Sequence, residues 1–201
     1  MNIQRQLSTM ISILSILFSV HVLAAADTPP DKVVAATTEK LFSVVKGEQE
    51  LLTSNPDKFF SDVHSALTSA VDFDYISKQV MGKDYWPKAT AEQRKQFAKV
   101  FTTSLVKTYG KGIVNFVNYE SNVELSKMSE DGTKAWVIQS IKLPEKVSKV
   151  AYLMQKEDDG WKAVNVVLDG AKLMETFRNQ FAAAVQQHNG IAGAIDNWAA
   201  Q

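Results

Sequence analysis

The chain has 201 residues, 45% of them apolar, with 22 basic residues against 22 acidic ones. That length allows one domain of ordinary size with a sizeable core. A balanced charge argues against a nucleic-acid binder, which needs a basic surplus, and the absence of cysteine excludes disulfides and thiolate chemistry.

Residues 1–26 read as a secretory signal peptide. Arg5 supplies a short basic region, residues 7–23 are apolar and uncharged, and Ala24–Ala26 offer small residues for cleavage, expected after Ala26. An uncleaved anchor is the competing reading, but small residues and then "ADTPPD" follow, without basic stop-transfer flanks. Removing this segment removes one base, Arg5, and no acid, leaving 21 against 22. Residues 27–201 are expected to form a single domain.

Thr28 before Pro29 reads as a cap and first helical position. Val33, Val34, Thr37, Leu41 and Val44 follow at helical spacing. A second helix restarts at Asn55-Pro56 with Phe59, Phe60, Val63, Leu67 and Val71 as its stripe. A third, short helix is capped by Asp72 or Asp74 and stopped by Gly82. Thr90 and Gln93 have the capping-box spacing. They open a long helix whose stripe is Phe97, Val100, Phe101, Leu105, Tyr109, Ile113 and Phe116.

After residue 120 the period changes to two. "SNVELSKM", "TKAWVIQSIKL", "KVSKVAYLMQKE" and "GWKAVNVVL" read as an antiparallel meander of about four strands, with turns at Asp131-Gly132 and Asp158–Gly160. The acids of "EDDG" fit a solvated turn better than a metal site. A helix with Leu173, Met174, Phe177, Phe181 and Val185 returns, stopped by Asn189-Gly190. A last short helix carries Ile191, Ile195 and Trp198. Helices, strands and helices in that order predict an α+β fold, with helices packed on one antiparallel sheet.

Chemistry is sparse. Beyond the leader there are two histidines, His64 and His188, far apart in sequence, and no nucleophile, metal or phosphate-loop motif. A binder is favoured over an enzyme; no catalytic residue, metal ligand or cofactor is assigned. Apolar side chains occupy more faces than one compact core obviously needs. One filled core is the simpler reading; an apolar pocket between helices and sheet is the sharper one.

The segment "DFDYISKQVMGKDYWPKATAEQRKQFAKVFTTSLVKTYGKGI" resembles the MlaC family, also called the toluene-tolerance family. The resemblance lies in Asp72-Phe73, Val80 to Gly82, Tyr85-Trp86, Ala89-Thr90, Gln93-Arg94, Phe97, Leu105, Tyr109 and Ile113. "GWKAVNVVLDGAKLMETFRNQF" is similar to a second family block, and "NPDKFFSDV" and "HNGIAGAI" also fit. The family's usual Asp, Glu-Gly, Ser and Tyr in that second block are here Asn165, Asp169-Gly170, Lys172 and Phe177. These departures put any polar role of the strand–helix junction in doubt and keep the apolar pattern.

The resemblance implies a periplasmic phospholipid carrier with a deep apolar pocket. It implies passage of lipid between an outer-membrane lipoprotein–porin complex and an inner-membrane ABC transporter with MCE-domain subunits, which maintains outer-membrane lipid asymmetry. Pocket lining is expected from Leu67, Phe97, Phe101, Leu105, Val150, Tyr152, Met154, Val166, Met174, Phe177 and Phe181. A one-residue register error would turn Val150, Tyr152 and Met154 outward. Tyr85 and Trp86, on the hinge between helices, either pack a corner or border the pocket mouth. A small-ligand enzyme of a cone-shaped α+β fold and a periplasmic chaperone or structural module are the rival readings.

Overall fold

The computed structural model describes residues 28–199, so the expected signal peptide and its cleavage point lie outside the described residues. The first helix, α1 (Pro30–Gly47), starts one residue later than its sequence suggests. Pro29 stands at the N-cap with no side-chain cap, and its carbonyl accepts from the Val33 amide at 3.0 Å. Two prolines in a row explain the shift: Pro30 supplies the pre-set φ of the first turn, and Pro29 cannot offer a capping oxygen from its side chain. A single turn, α2 (Leu51–Ser54), leads to α3 (Pro56–Leu67), where the Asn55 side chain accepts from the Lys58 amide at 3.3 Å.

Helix α4 (Phe73–Tyr85) is capped by Asp72, whose Oδ1 accepts from the Tyr75 amide at 2.8 Å. Gly82 interrupts it rather than ending it. Its φ of 66° and ψ of −177° lie in a region open essentially to glycine alone, and one more turn follows before the 3₁₀ turn Trp86–Lys88. The Arg178 side chain crosses this break and donates from Nε to the Gln79 carbonyl at 2.9 Å. Helix α5 (Ala91–Ile113) opens on a complete capping box. Thr90 Oγ1 accepts from the Gln93 amide at 3.1 Å, and Gln93 Oε1 accepts from the Thr90 amide at 2.9 Å.

The sheet follows: β1 (Ser121–Met128), β2 (Lys134–Lys142), β3 (Val147–Glu157), β4 (Gly160–Leu168) and the two-residue β5 (Ala171–Lys172). The strands pair antiparallel in chain order, so about four expected strands become five through one short addition. One bulge lies in β1 near Leu125–Lys127, and one shifts the β3–β4 register between Leu153 and Met154. Helices α6 (Leu173–Gln187) and α7 (Ile191–Ala199) close the chain. Between them Asn189 and Gly190 take φ of 58° and 114°, the left-handed stop that the sequence suggests.

Among the described residues the interior forms three packed clusters. Ile76, Val80, Met81, Phe97, Phe101, Phe181, Ile195 and Trp198 join α4, α5, α6 and α7. Val34, Ala135, Val137, Met154, Trp161 and Ala163 join α1 to the sheet. Val45, Phe59, Phe60, Val63, Val106 and Val117 join α1, α3 and α5. Among the described residues no helix is long and apolar enough to cross a membrane.

Candidate functional site, an apolar cavity between helices and sheet

Where the three clusters fail to meet, a cavity opens. One lobe, about 250 Å³, runs between α4, α5 and α6 and is lined by Leu67, Val71, Phe73, Ile76, Leu105, Met174 and Phe177 among others. A second lobe, about 230 Å³, lies over the start of β3 and the end of β4, lined by Phe42, Phe116, Ile141, Val150 and Leu168 among others. Both lobes are walled by Leu41, Tyr109, Ile113, Tyr152, Val166 and Leu173, so they adjoin across shared side chains. A side pocket of about 70 Å³ continues past Tyr152 towards Val34, Met154 and Ala163.

The sequence makes this wall by simple periodicities. On β3 the alternate residues Ser148, Val150, Tyr152 and Met154 all face inward, a run of about 20 Å at about 3.3 Å per residue. On α5, Leu105, Tyr109 and Ile113 are spaced by four and share one face. The rim residue Tyr109 is 37% exposed and meets the Phe177 ring edge-on at 6.2 Å. Partial burial raises its phenol pKa.

Of the residues expected to line the pocket, Leu67, Leu105, Val150, Tyr152, Val166, Met174 and Phe177 face the two lobes, and Met154 faces the side pocket. Phe97, Phe101 and Phe181 do not. They are fully buried in the helical cluster, with Phe181 4.6 Å from Phe97 and 6.2 Å from Trp198 by ring centroids. Helix α7 packs its Trp198 onto them and closes that region. Tyr85 and Trp86 pack a corner and border neither lobe. Tyr85 stands edge-on to Phe181 at 5.8 Å; Trp86 lies under the Arg94 guanidinium at 4.9 Å, and Arg94 Nε donates to the Trp86 carbonyl at 3.0 Å.

Leu41, Val71, Ile113 and Leu173 belong to ordinary helical stripes in the sequence, and nothing in it assigns a pocket role to Phe73, Thr38 or Gln139. They come from α1, α4, α5, α6, strand β2 and the link before α4, and only the packing brings them together.

The strand–helix junction is held by polar contacts. Lys172 is the N-cap of α6 and makes no side-chain cap; instead its Nζ stands 3.1 Å from Glu175. Asn165 turns its Oδ1 back to the Val166 amide at 2.8 Å, next to the β3–β4 bulge. Asp169 fixes the turn. Its carboxylate accepts from Lys146 Nζ at 2.8 Å, the Lys149 amide at 2.7 Å and Ser148 Oγ at 3.0 Å, and together these hold its pKa down at about 2. The folded value lies below the unfolded one of about 3.9. The anion therefore favours the fold above that value, and the contribution is lost as pH falls from about 4 through about 2. Asp169→Asn tolerates the residue's φ of 47°. It is expected to flatten the acid limb of a melting temperature against pH curve in that window; an unchanged limb would remove Asp169 from the account.

Among the described residues no histidine lines the cavity. His64 stacks near Phe73 at 5.4 Å, while His188 caps the end of α6. Among the described residues no three His, Cys, Asp or Glu side chains come together to hold a metal.

Comparison with known proteins agrees with this geometry. A family described as "MlaC protein" matches residues 35–200. The chain is 35% identical to the toluene tolerance protein ttg2D of Pseudomonas putida, over 88% of this chain and 82% of that one. It is 25% identical to the intermembrane phospholipid transport system binding protein MlaC of Haemophilus influenzae, over 81% and 78% of the two chains. Its fold is similar to that of a phospholipid-binding protein from Ralstonia solanacearum solved in complex with a phospholipid. The TM-score is 0.74 at 25% identity, covering 85% of this chain and 95% of the other.

Proposed function

Because the chain belongs to the MlaC family, we propose that it carries a phospholipid through the periplasm with the acyl chains in the two-lobed cavity. The observation that carries this reading is the cavity itself, whose walls are mostly carbon and whose β3 side runs about 20 Å. Half of a bilayer's hydrocarbon core is about 15 Å thick, so an acyl tail fits lengthwise. Moving about 15 methylenes into water costs roughly 12 kcal/mol. A carrier has to hide that surface, and it needs no catalytic group to do so.

In this reading residues 1–26 direct export and are removed after Ala26, and residues 27–201 form a single lipid-binding domain. The loaded carrier exchanges its lipid with an outer-membrane lipoprotein–porin complex and an inner-membrane ABC transporter bearing MCE-domain subunits, and so serves outer-membrane lipid asymmetry. The protein is a shuttle and not an enzyme. The names of the relatives and the phospholipid bound to the Ralstonia solanacearum protein support it.

The test is mass spectrometry of protein purified without detergent. Co-purifying phospholipid near one equivalent is the expected result. Absence of lipid after gentle extraction, together with failure to take up added phospholipid, would defeat the reading and favour a chaperone or structural module. Release of a chemically altered lipid would favour an enzyme.

A further inference from the structure

The cavity wall carries one polar island that a purely hydrocarbon guest would not require. It is centred on Gln139, on the inner face of β2 and only 3% exposed. The register places Gln139 opposite Val123 of β1 and Val150 of β3, which makes Ser121 and Tyr152 its same-face diagonal neighbours. Helix α1 brings Thr38 over them. Tyr152 donates from its hydroxyl to Gln139 Oε1 at 2.7 Å. Gln139 Nε2 donates to Ser121 Oγ at 2.8 Å and to Thr38 Oγ1 at 3.3 Å.

These four side chains hold five hydrogen-bond donor hydrogens and share three contacts, which leaves two hydrogens without an acceptor among the described residues. As the contacts stand, the two belong to Thr38 and Ser121. With the amide turned round, they belong to Tyr152 and Gln139. In either arrangement at least one sits on a side chain that walls the cavity. Gln139 is buried and its three partners are half-buried; a donor held away from water without an acceptor is costly, and desolvation keeps the Tyr152 phenol protonated by raising its pKa.

We propose that this island is the subsite for an ester carbonyl of the bound lipid, with Thr38, Gln139 and Tyr152 offering the hydrogen and Ser121 steadying the amide. The inference rests on the proposed lipid-carrying function and narrows it to ester-linked lipids. One acceptor oxygen satisfied inside a carbon wall sets how far the tails enter.

The experiment loads delipidated protein with equal amounts of diacyl phosphatidylcholine and its dialkyl ether analogue of the same chain length, and reads the bound ratio by native mass spectrometry. The wild type is expected to favour the ester lipid about fivefold, the worth of one net hydrogen bond. The variant Thr38→Val/Gln139→Leu/Tyr152→Phe replaces three of the four side chains by apolar groups of similar shape and leaves only the half-buried Ser121, a change whose cost in fold stability is small because the other partners go together. It is expected to load both lipids and bring the ratio close to one. A wild-type ratio of one with both lipids bound would overturn the inference and leave the carrier reading standing. A triple variant that keeps the fivefold ratio would also overturn it. If the triple variant does not fold, the wild-type ratio alone decides. If neither lipid loads, the carrier reading fails and takes the inference with it.

Discussion

Replacing Phe181 by alanine is expected to lower the unfolding free energy by about 3–5 kcal/mol, the usual cost of emptying an aromatic site in a packed core. Phe181 is completely buried, and its ring meets those of Tyr85, Phe97 and Trp198 at 5.8, 4.6 and 6.2 Å. It thus joins the end of α4, α5, α6 and α7. Truncation leaves a void enclosed by three other aromatic rings, which cannot collapse without moving whole helices. In urea the midpoint should fall with the slope unchanged. The lipid bound per folded molecule should stay near the wild-type level, because Phe181 faces neither lobe of the cavity. A variant of wild-type stability that has lost its lipid would return Phe181 to the cavity wall.

That contrast marks how far the sequence reaches. The meander was legible because alternation has period two, and turn residues punctuate it; β1 and β4 begin and end where the sequence segments do, and β2 and β3 lie within one residue of theirs at each end. The inward set Val150, Tyr152 and Met154 was legible for the same reason. The capping box at Thr90 is chemistry confined to four residues and needs no tertiary knowledge. Helical stripes say less. Phe97, Phe101 and Leu105 lie on one face of α5, and periodicity treats them alike. What separates them is position along a helix of 23 residues: its first half meets Trp198 of α7, while Leu105 and the turns beyond it meet the cavity. A stripe gives the face that is buried and not what the face is buried against.

The polar island was illegible for a related reason. Gln139 occupies an inward position of a strand otherwise read as apolar, and its partner Thr38 lies 101 residues away in the chain. Nothing local distinguishes it from an outward glutamine until the register is known. The glycine at position 82 was half legible. Its type signals a break, but whether the chain leaves the helix or resumes it depends on α6, whose Arg178 reaches the Gln79 carbonyl and packs across the break. Cavity and core are therefore made from the same residue types here, and they differ only in whether a third element arrives to cover them.

Leu105→Trp uses that difference. Leu105 faces the lobe between α4, α5 and α6, and it lies at the edge of the helical cluster and not inside it. A larger ring at this position has somewhere to go, so the strain that overpacking brings in a filled core, about 1–3 kcal/mol, should be largely absent. The melting temperature is expected to stay the same or to rise. The guest meets the opposite outcome. Each methylene excluded from the lobe forfeits about 0.8 kcal/mol of transfer free energy. An indole that displaces about three of them costs the complex about 2.4 kcal/mol, roughly a sixtyfold loss in affinity. Lipid recovered from detergent-free preparations should drop accordingly, and transfer from vesicles to the purified protein should slow or stop. Phe177→Trp is a weaker probe of the same lobe, because Phe177 also contacts Phe101 at 5.3 Å and Tyr109 at 6.2 Å and its enlargement disturbs both. Should Leu105→Trp unfold or aggregate while Phe181→Ala remains stable, the assignment of hollow and solid regions would have to be exchanged. Should Leu105→Trp fold well and keep its full complement of lipid, the lobe between α4, α5 and α6 would not be where the acyl chains reside.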